Sequence, residues 1–246
     1  MQETRGNFFK TITNDISDEI DGMEKEIEYG KEKELENKAT IHTEKSLSYF
    51  TIKRAIDIVG STVGLILLSP AFLITAIAIK IDTKGPIFYF QDRVGKNGKL
   101  FRMFKFRSMI VNADELLEKL RDQNEMSGPM FKINDDPRIT RLGRFIRKTS
   151  IDELPQIYNV LRGEMALVGP RPNLPDEVEK FDDYQKKKLL VKPGLTCYWQ
   201  VMGRSSIGFE GWMSLDMKYI EDRNTMIDLV LILKTFKVFL GDRNAR

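Results

Sequence analysis

The chain has 246 residues, 39 Lys and Arg against 36 Asp and Glu, and a formal net charge of +3, too small a balance to indicate a nucleic-acid binder. One cysteine, Cys197, and one histidine, His42, exclude an intrachain disulfide framework and a Cys/His zinc site. A His-based triad would have to use His42 in a polar tail, so chemistry in this chain falls to carboxylates, Lys and Arg.

Residues 1–48 read as a polar, acidic tail, with a mixed-charge run from Asp15 to Lys38 that fits a solvated tether. There is no basic-then-apolar leader, so the bulk of the chain is expected in the cytoplasm. Residues 49–84 form a second unit. Ile58 to Ile79 carries no charge, and about 22 residues of helix reach roughly 33 Å, enough for a bilayer core of ~30 Å. Ser69-Pro70 sits in its middle, where a missing N–H and a ring clash predict a kink or break. Lys53 and Arg54 stand at one end, Lys80 and Lys84 at the other. Basic flanks stay cytoplasmic, so basic residues at both ends predict a re-entrant hairpin rather than a span.

Residues 85–246 are expected to form a cytosolic domain. Gly85-Pro86 turns the chain, Ile87 to Phe90 reads as a strand, and Leu100 to Met109 alternates apolar and basic residues. As a strand it puts Lys105 and Arg107 on one face, Phe104 and Phe106 on the other. Asn112 to Gln123 is a helix candidate ended by Ser127-Gly128-Pro129. Pro137 to Lys148 is predicted as an amphipathic helix with Arg138, Arg141, Arg144 and Arg147 around its polar side. A helix lying on a membrane and a surface helix of a soluble domain both fit that pattern. Leu154 to Leu161, Asp176 to Val191 and Met226 to Leu240 complete the predicted helices. The basic run Lys186-Lys187-Lys188 falls near the end of the second. The third is too short to span a membrane.

Asp152-Glu153 precedes Pro155 at a predicted helix start. Asp152 can serve as an N-cap, or Ser150 and Glu153 as a capping box. The same pair can instead supply an ionised nucleophile and a Mg2+ ligand, since a helix start favours a carboxylate. Arg171 stands between Pro170 and Pro172, a rigid presentation suited to phosphate. Trp199-Gln200 with Gly203-Arg204 offers a ring, an amide and a cation that could meet a nucleotide, or a packed Trp. Asp216 and Tyr219 share a helical face.

Taken in order, Lys53-Arg54 with Asp57, Ser69-Pro70, Gly85-Pro86, Gln91 with Arg93, Lys105 to Met109, Asp152 to Gln156 with Asn159, Val168 to Pro172, Lys192 to Thr196, Trp199-Gln200 and Gly203-Arg204 closely resemble the monotopic phosphoglycosyl transferases, bacterial sugar transferases of the undecaprenyl-phosphate hexose-phosphate transferase type. The resemblance covers about residues 51 to 240. It implies an α+β, mostly helical cytosolic domain held on the membrane by a re-entrant helix and amphipathic interfacial helices, at the cytoplasmic face of the bacterial inner membrane. It implies Asp152 as nucleophile, Glu153 as the metal-binding partner for Mg2+, and Ser69 and Pro70 as the membrane-helix break. The candidate substrate-binding set is Lys105, Arg147, Arg171, Gln200, Arg204 and Asp216. The implied reaction moves a sugar phosphate from a UDP-sugar, UDP-glucose or UDP-galactose first, to polyprenyl phosphate, with release of UMP and no nucleic-acid partner. The oligomeric state, homo-oligomer or not, stays open. Two alternatives stand beside this reading, a non-catalytic membrane adaptor and a glycosyltransferase that releases UDP. Two departures stand out. Cys197 replaces a common glycine, and Arg223-Asn224 replaces an aromatic-serine pair.

Overall fold

The computed structural model describes residues 45–120, 133, 135–202 and 208–239. Helix α1, Leu47–Asp82, opens on Ser46, whose side chain accepts the Tyr49 N–H. Its 36 residues correspond to ~54 Å of helix. It is long and apolar enough to cross a membrane, and 11% of its most hydropathic 18-residue window is buried.

Pro70 lies inside this helix, which continues on both sides of it; of the expected kink or break at Ser69-Pro70, the full break is absent. A local hydrogen bond accounts for this. Pro70 leaves the Ile66 carbonyl without its N–H partner, and Ser69 Oγ donates to that carbonyl at 2.8 Å.

Both ends of α1 dock on the domain that follows. At the first end, Arg54 donates to the carbonyls of Val160 and Leu161, each at 2.8 Å. Asp57 Oδ1 accepts the Leu167 N–H at 2.8 Å. At the far end, Ile79 packs with Phe106 and Ile146, and Arg107 donates to the carbonyls of Thr83 and Lys84. The middle, Ile66, Leu67, Leu73 and Ile74, is exposed.

Strands β1, Phe88–Val94, and β2, Leu100–Phe106, form an antiparallel hairpin with Phe88 opposite Phe106. Phe101 and Met103 are buried on one face of β2, and Lys105 follows them by the period of two. Phe104 and Phe106 make ring contacts on the opposite face, with Phe90 and Phe88 respectively. Helix α2 is Ala113–Leu120; the predicted continuation and Ser127 to Pro129 lie outside the described residues.

Helix α3 is Arg141–Lys148, capped by Thr140 Oγ1 on the Gly143 N–H. It therefore starts four residues later than the pattern predicted. Arg138 does not sit on its polar face; it is buried, paired with Asp136 at 2.6 Å. A short 3₁₀ turn, Ile151–Glu153, leads into α4, Gln156–Arg162, and β3, Ala166–Val168. The helix predicted over 176–191 is instead three pieces: α5, Pro175–Val178, α6, Asp183–Lys186, and a 3₁₀ turn, Lys187–Leu190. Asp182 and Gln185 form a capping box that restarts the chain at α6.

Strand β4, Gly194–Thr196, pairs parallel with β3. Side chains at Gly169 and Gly194 would collide with each other's backbone, so this close crossing needs glycine at both. Helices α7, Tyr198–Met202, α8, Phe209–Asp222, and α9, Thr225–Phe239, close the domain. Val168, Tyr198, Trp199, Trp212, Leu215, Tyr219 and Leu231 form the main core beneath β3 and β4. The result is a mostly helical α+β fold in which α1 and the loop after β3 share one foundation.

Candidate active site

The site begins with the turn after α3. Ser150 adopts a left-handed conformation, φ 54°, and makes no side-chain cap bond. The turn it starts buries the Asp152 side chain. Helix α4 begins only at Gln156, after Pro155. Asp152 is thus not the N-cap of α4, and Ser150, which makes no side-chain cap bond, forms no capping box with Glu153. Burial first, then the adjacent Glu153 charge, push the Asp152 carboxyl up to about 6, against the pull of Lys105, Arg147 and Arg171. No helix start acts on it, since α4 begins only at Gln156. Proximity and desolvation set its charge instead.

Glu153 is the hub. Lys105 Nζ donates to its Oε1 at 3.0 Å and Arg171 to the same oxygen at 3.2 Å. Burial alone would raise this carboxyl, but the two cations outweigh it and hold Glu153 well below the usual carboxylate range. The Lys105 ammonium is pushed down by burial, opposed by Glu153.

Arg171 is held from two sides. Val94 N donates to Asn173 O at 3.0 Å, and Gly194 N donates to Pro170 O at 2.9 Å. Its guanidinium lies 6.0 Å from the Trp199 ring centroid, and Trp199 meets Trp212 edge-on at 4.3 Å. Trp199 is therefore a core residue that backs an arginine. Asn159 joins the site to the hairpin: its Oδ1 accepts from Phe104 N and its Nδ2 donates to Arg102 O. That register places Lys105 opposite Glu153.

Lys105, Arg147, Asp152, Glu153, Arg171 and Gln200 all line one cavity of about 1370 Å³. Asp216 does not line it. It is fully buried in α8 and pairs with Lys188 at 2.7 Å. The third lysine of the basic run is thus a core cation, also 5.8 Å from the Trp212 ring centroid. Arg204 lies outside the described residues.

Arg93 and Glu177, for which the sequence indicates no role, also line the cavity. Arg93 is buried, donates to Pro172 O at 3.1 Å and to Gln91 Oε1 at 2.6 Å, and is pushed down to about 10 by burial and by Arg171. Glu177 Oε2 accepts from Asn173 Nδ2 and Leu174 N, both at 2.9 Å. Their signal in the sequence was faint: Arg93 follows Gln91 on one strand face, and Glu177 stands three residues after Leu174.

A family profile described as "Bacterial sugar transferase" matches residues 48–242. The chain belongs to the bacterial sugar transferase family. The galactosyl transferase CpsE of Streptococcus agalactiae serotype III is 47% identical over 81% of this chain and 44% of its own. The undecaprenyl-phosphate galactose phosphotransferase of Salmonella typhimurium is 43% identical over 77% of this chain and 40% of its own. The exopolysaccharide production protein ExoY of Sinorhizobium fredii is 39% identical over 74% of this chain and 83% of its own. The chain thus spans less than half the length of the first two relatives.

Within this bacterial sugar transferase, the two departures have structural settings. Cys197 is fully buried in the main core, and burial pushes its thiol well up, which keeps it unreactive. Asn224 Oδ1 accepts the Ile227 N–H at 3.0 Å and so caps α9.

Proposed function

We propose that this chain transfers a sugar phosphate from a UDP-sugar, UDP-galactose or UDP-glucose first, to polyprenyl phosphate, in two steps through an aspartyl intermediate. The observation that carries the reading is the pairing of a buried Asp152 with a Glu153 already neutralised by Lys105 and Arg171. At a pKa of about 6, Asp152 is about nine-tenths ionised at pH 7, basic enough to attack and available to do so. One of its oxygens bonds to the phosphorus that carries the sugar. The bond from that phosphorus to the bridging oxygen breaks, and UMP leaves with the electron pair. An oxygen of the acceptor phosphate then attacks the same phosphorus and releases Asp152 as a carboxylate. Arg171, Lys105 and Arg147 hold fixed positive charge where the phosphates gain negative charge.

Among the described residues no group of three or more metal-ligating side chains comes together. Asp152 and Glu153 offer two neighbouring carboxylates, and Lys105 and Arg171 occupy only Oε1 of Glu153. Two carboxylates completed by substrate phosphates and water suit Mg2+. When bound, the ion would neutralise diphosphate charge.

The arrangement of α1 supports a membrane setting for this reaction. One domain holds Arg54 at one end and Thr83 at the other, while the apolar middle is exposed. We read a helix tied to one body at both ends as entering and leaving by one face, with its basic flanks favouring the cytoplasmic one. The departing nucleotide tests the reaction. Full chain in nanodiscs with UDP-galactose, Mg2+ and undecaprenyl phosphate should release UMP. Release of UDP would make it a glycosyltransferase, and no release would make it an adaptor; either result overturns the proposal.

A further inference from the structure

The cavity that holds the dyad does not end there. It continues between α1 and α9. On α1, Val59, Val63 and Leu67 line it, one helical turn apart. On α9, Leu229, Ile232 and Phe236 line it at spacings of three and four. Such spacings put each trio on one helical face. Val59, Leu67 and Phe236 are each more than 60% exposed, so neither face is filled by the domain itself. Leu167 and Leu195 also line this part of the cavity. The hydroxyls of Thr196 and Thr235 on its wall are hydrogen-bonded to each other at 2.7 Å.

One cavity therefore grades from a cationic end, with Arg93, Lys105 and Arg171, to an apolar end walled by two helix faces. That gradient matches an amphiphile with a phosphate head and a long hydrocarbon tail. We infer that the groove between α1 and α9 receives the isoprenoid chain of the acceptor, so that α9 takes part in acceptor recognition. The inference rests on the reaction proposed above. In its second step the acceptor phosphate must reach Asp152, and its chain must leave the site along a surface that costs no desolvation of polar groups. The groove supplies such a surface, starting at the phosphate end and running along the helix that meets the membrane. A chain laid there buries apolar area that the fold otherwise leaves open.

The test uses the full chain in nanodiscs with UDP-galactose and Mg2+, and compares Leu229→Trp and Ile232→Trp with a control, Leu190→Trp. Leu190 is exposed but lies outside the cavity. Adduct formation with UMP release needs no acceptor and reports that each variant is folded. With undecaprenyl phosphate, the two groove variants should lose roughly tenfold or more in acceptor kcat/KM, the scale of a blocked apolar pocket. With farnesyl phosphate the loss should shrink, because a short chain reaches less of α9. The control should match wild type with both. Wild-type behaviour of both groove variants with undecaprenyl phosphate would overturn the inference and leave the groove to bilayer lipid. An equal loss with both acceptors would also overturn it, since the effect would then not come from the chain. Failure of the wild-type protein to turn over would instead remove the proposed function, and this inference with it.

Discussion

Lys53→Met tests whether the foot of α1 is built into the catalytic domain. Lys53 Nζ lies 2.8 Å from Asp228 Oδ2, with 15% and 4% of the two side chains exposed. The same ammonium donates to Val168 O at 2.8 Å and to Tyr219 OH at 3.2 Å. Removing one partner of a buried pair costs ~3–5 kcal/mol because the other charge is left behind. Asp228 would keep the Tyr219 hydroxyl at 2.7 Å and the Tyr49 hydroxyl at 3.1 Å, which places the expected loss near ~3 kcal/mol. For a chain of this size that lowers the thermal midpoint by ~6–12 °C. Val168 also sits three residues before Arg171, so activity should fall with stability. The assay is thermal unfolding in nanodiscs at matched scan rate, with Lys53→Met, Asp228→Asn and the double variant. The double variant should recover part of the loss, since it removes the stranded charge. A loss below ~0.5 kcal/mol, the range of ordinary surface substitutions, would refute the argument.

Further outcomes follow from the same geometry. Carboxyl NMR of the metal-free protein should show Asp152 titrating near 6. Its attacking form fills as pH rises through that value, and Glu153→Gln should move the midpoint down, since it removes a neighbouring negative charge; an unchanged or higher midpoint would contradict the assignment. Lys188→Met should destabilise the protein by ~3–5 kcal/mol through the stranded Asp216, and an unchanged midpoint in thermal unfolding would show that the pair is not buried as described. Single cysteines at Ser48 and Lys84 in a Cys197→Ser background should both resist an impermeant thiol reagent on intact cells. Labelling of position 48 alone would turn α1 into a span.

The dyad and the arginine between two prolines were legible because they sit in short, rigid, unusual sequence contexts. What joins them was not. Strands β3 and β4 have three residues each, too few for a period of two to declare itself, so their pairing through Gly169 and Gly194 emerged only in three dimensions. Lys188 belongs to a run of three lysines, which by pattern is a solvated face, and only its tertiary position makes it the partner of Asp216. Arg138 fits an amphipathic period that Thr140 cuts short by capping α3. At Pro70, the Ser69 hydroxyl that takes the place of the missing donor lies beyond what helix-breaking propensity alone conveys. The setting of Asp152 depends on tertiary position in the same way: burial and the Glu153 charge, which raise its carboxyl, are not conveyed by a nearby helix start.

The proposed reaction turns on covalent attachment of the sugar phosphate to Asp152. The most direct measurement is intact-protein and peptide mass spectrometry of the full chain mixed with UDP-galactose and Mg2+ in the absence of acceptor. A hexose-phosphate adduct on the peptide containing Asp152, with UMP released in step and neither seen with Asp152→Asn, is the predicted result. No adduct in the wild-type protein, together with normal turnover by Asp152→Asn once undecaprenyl phosphate is added, would contradict it.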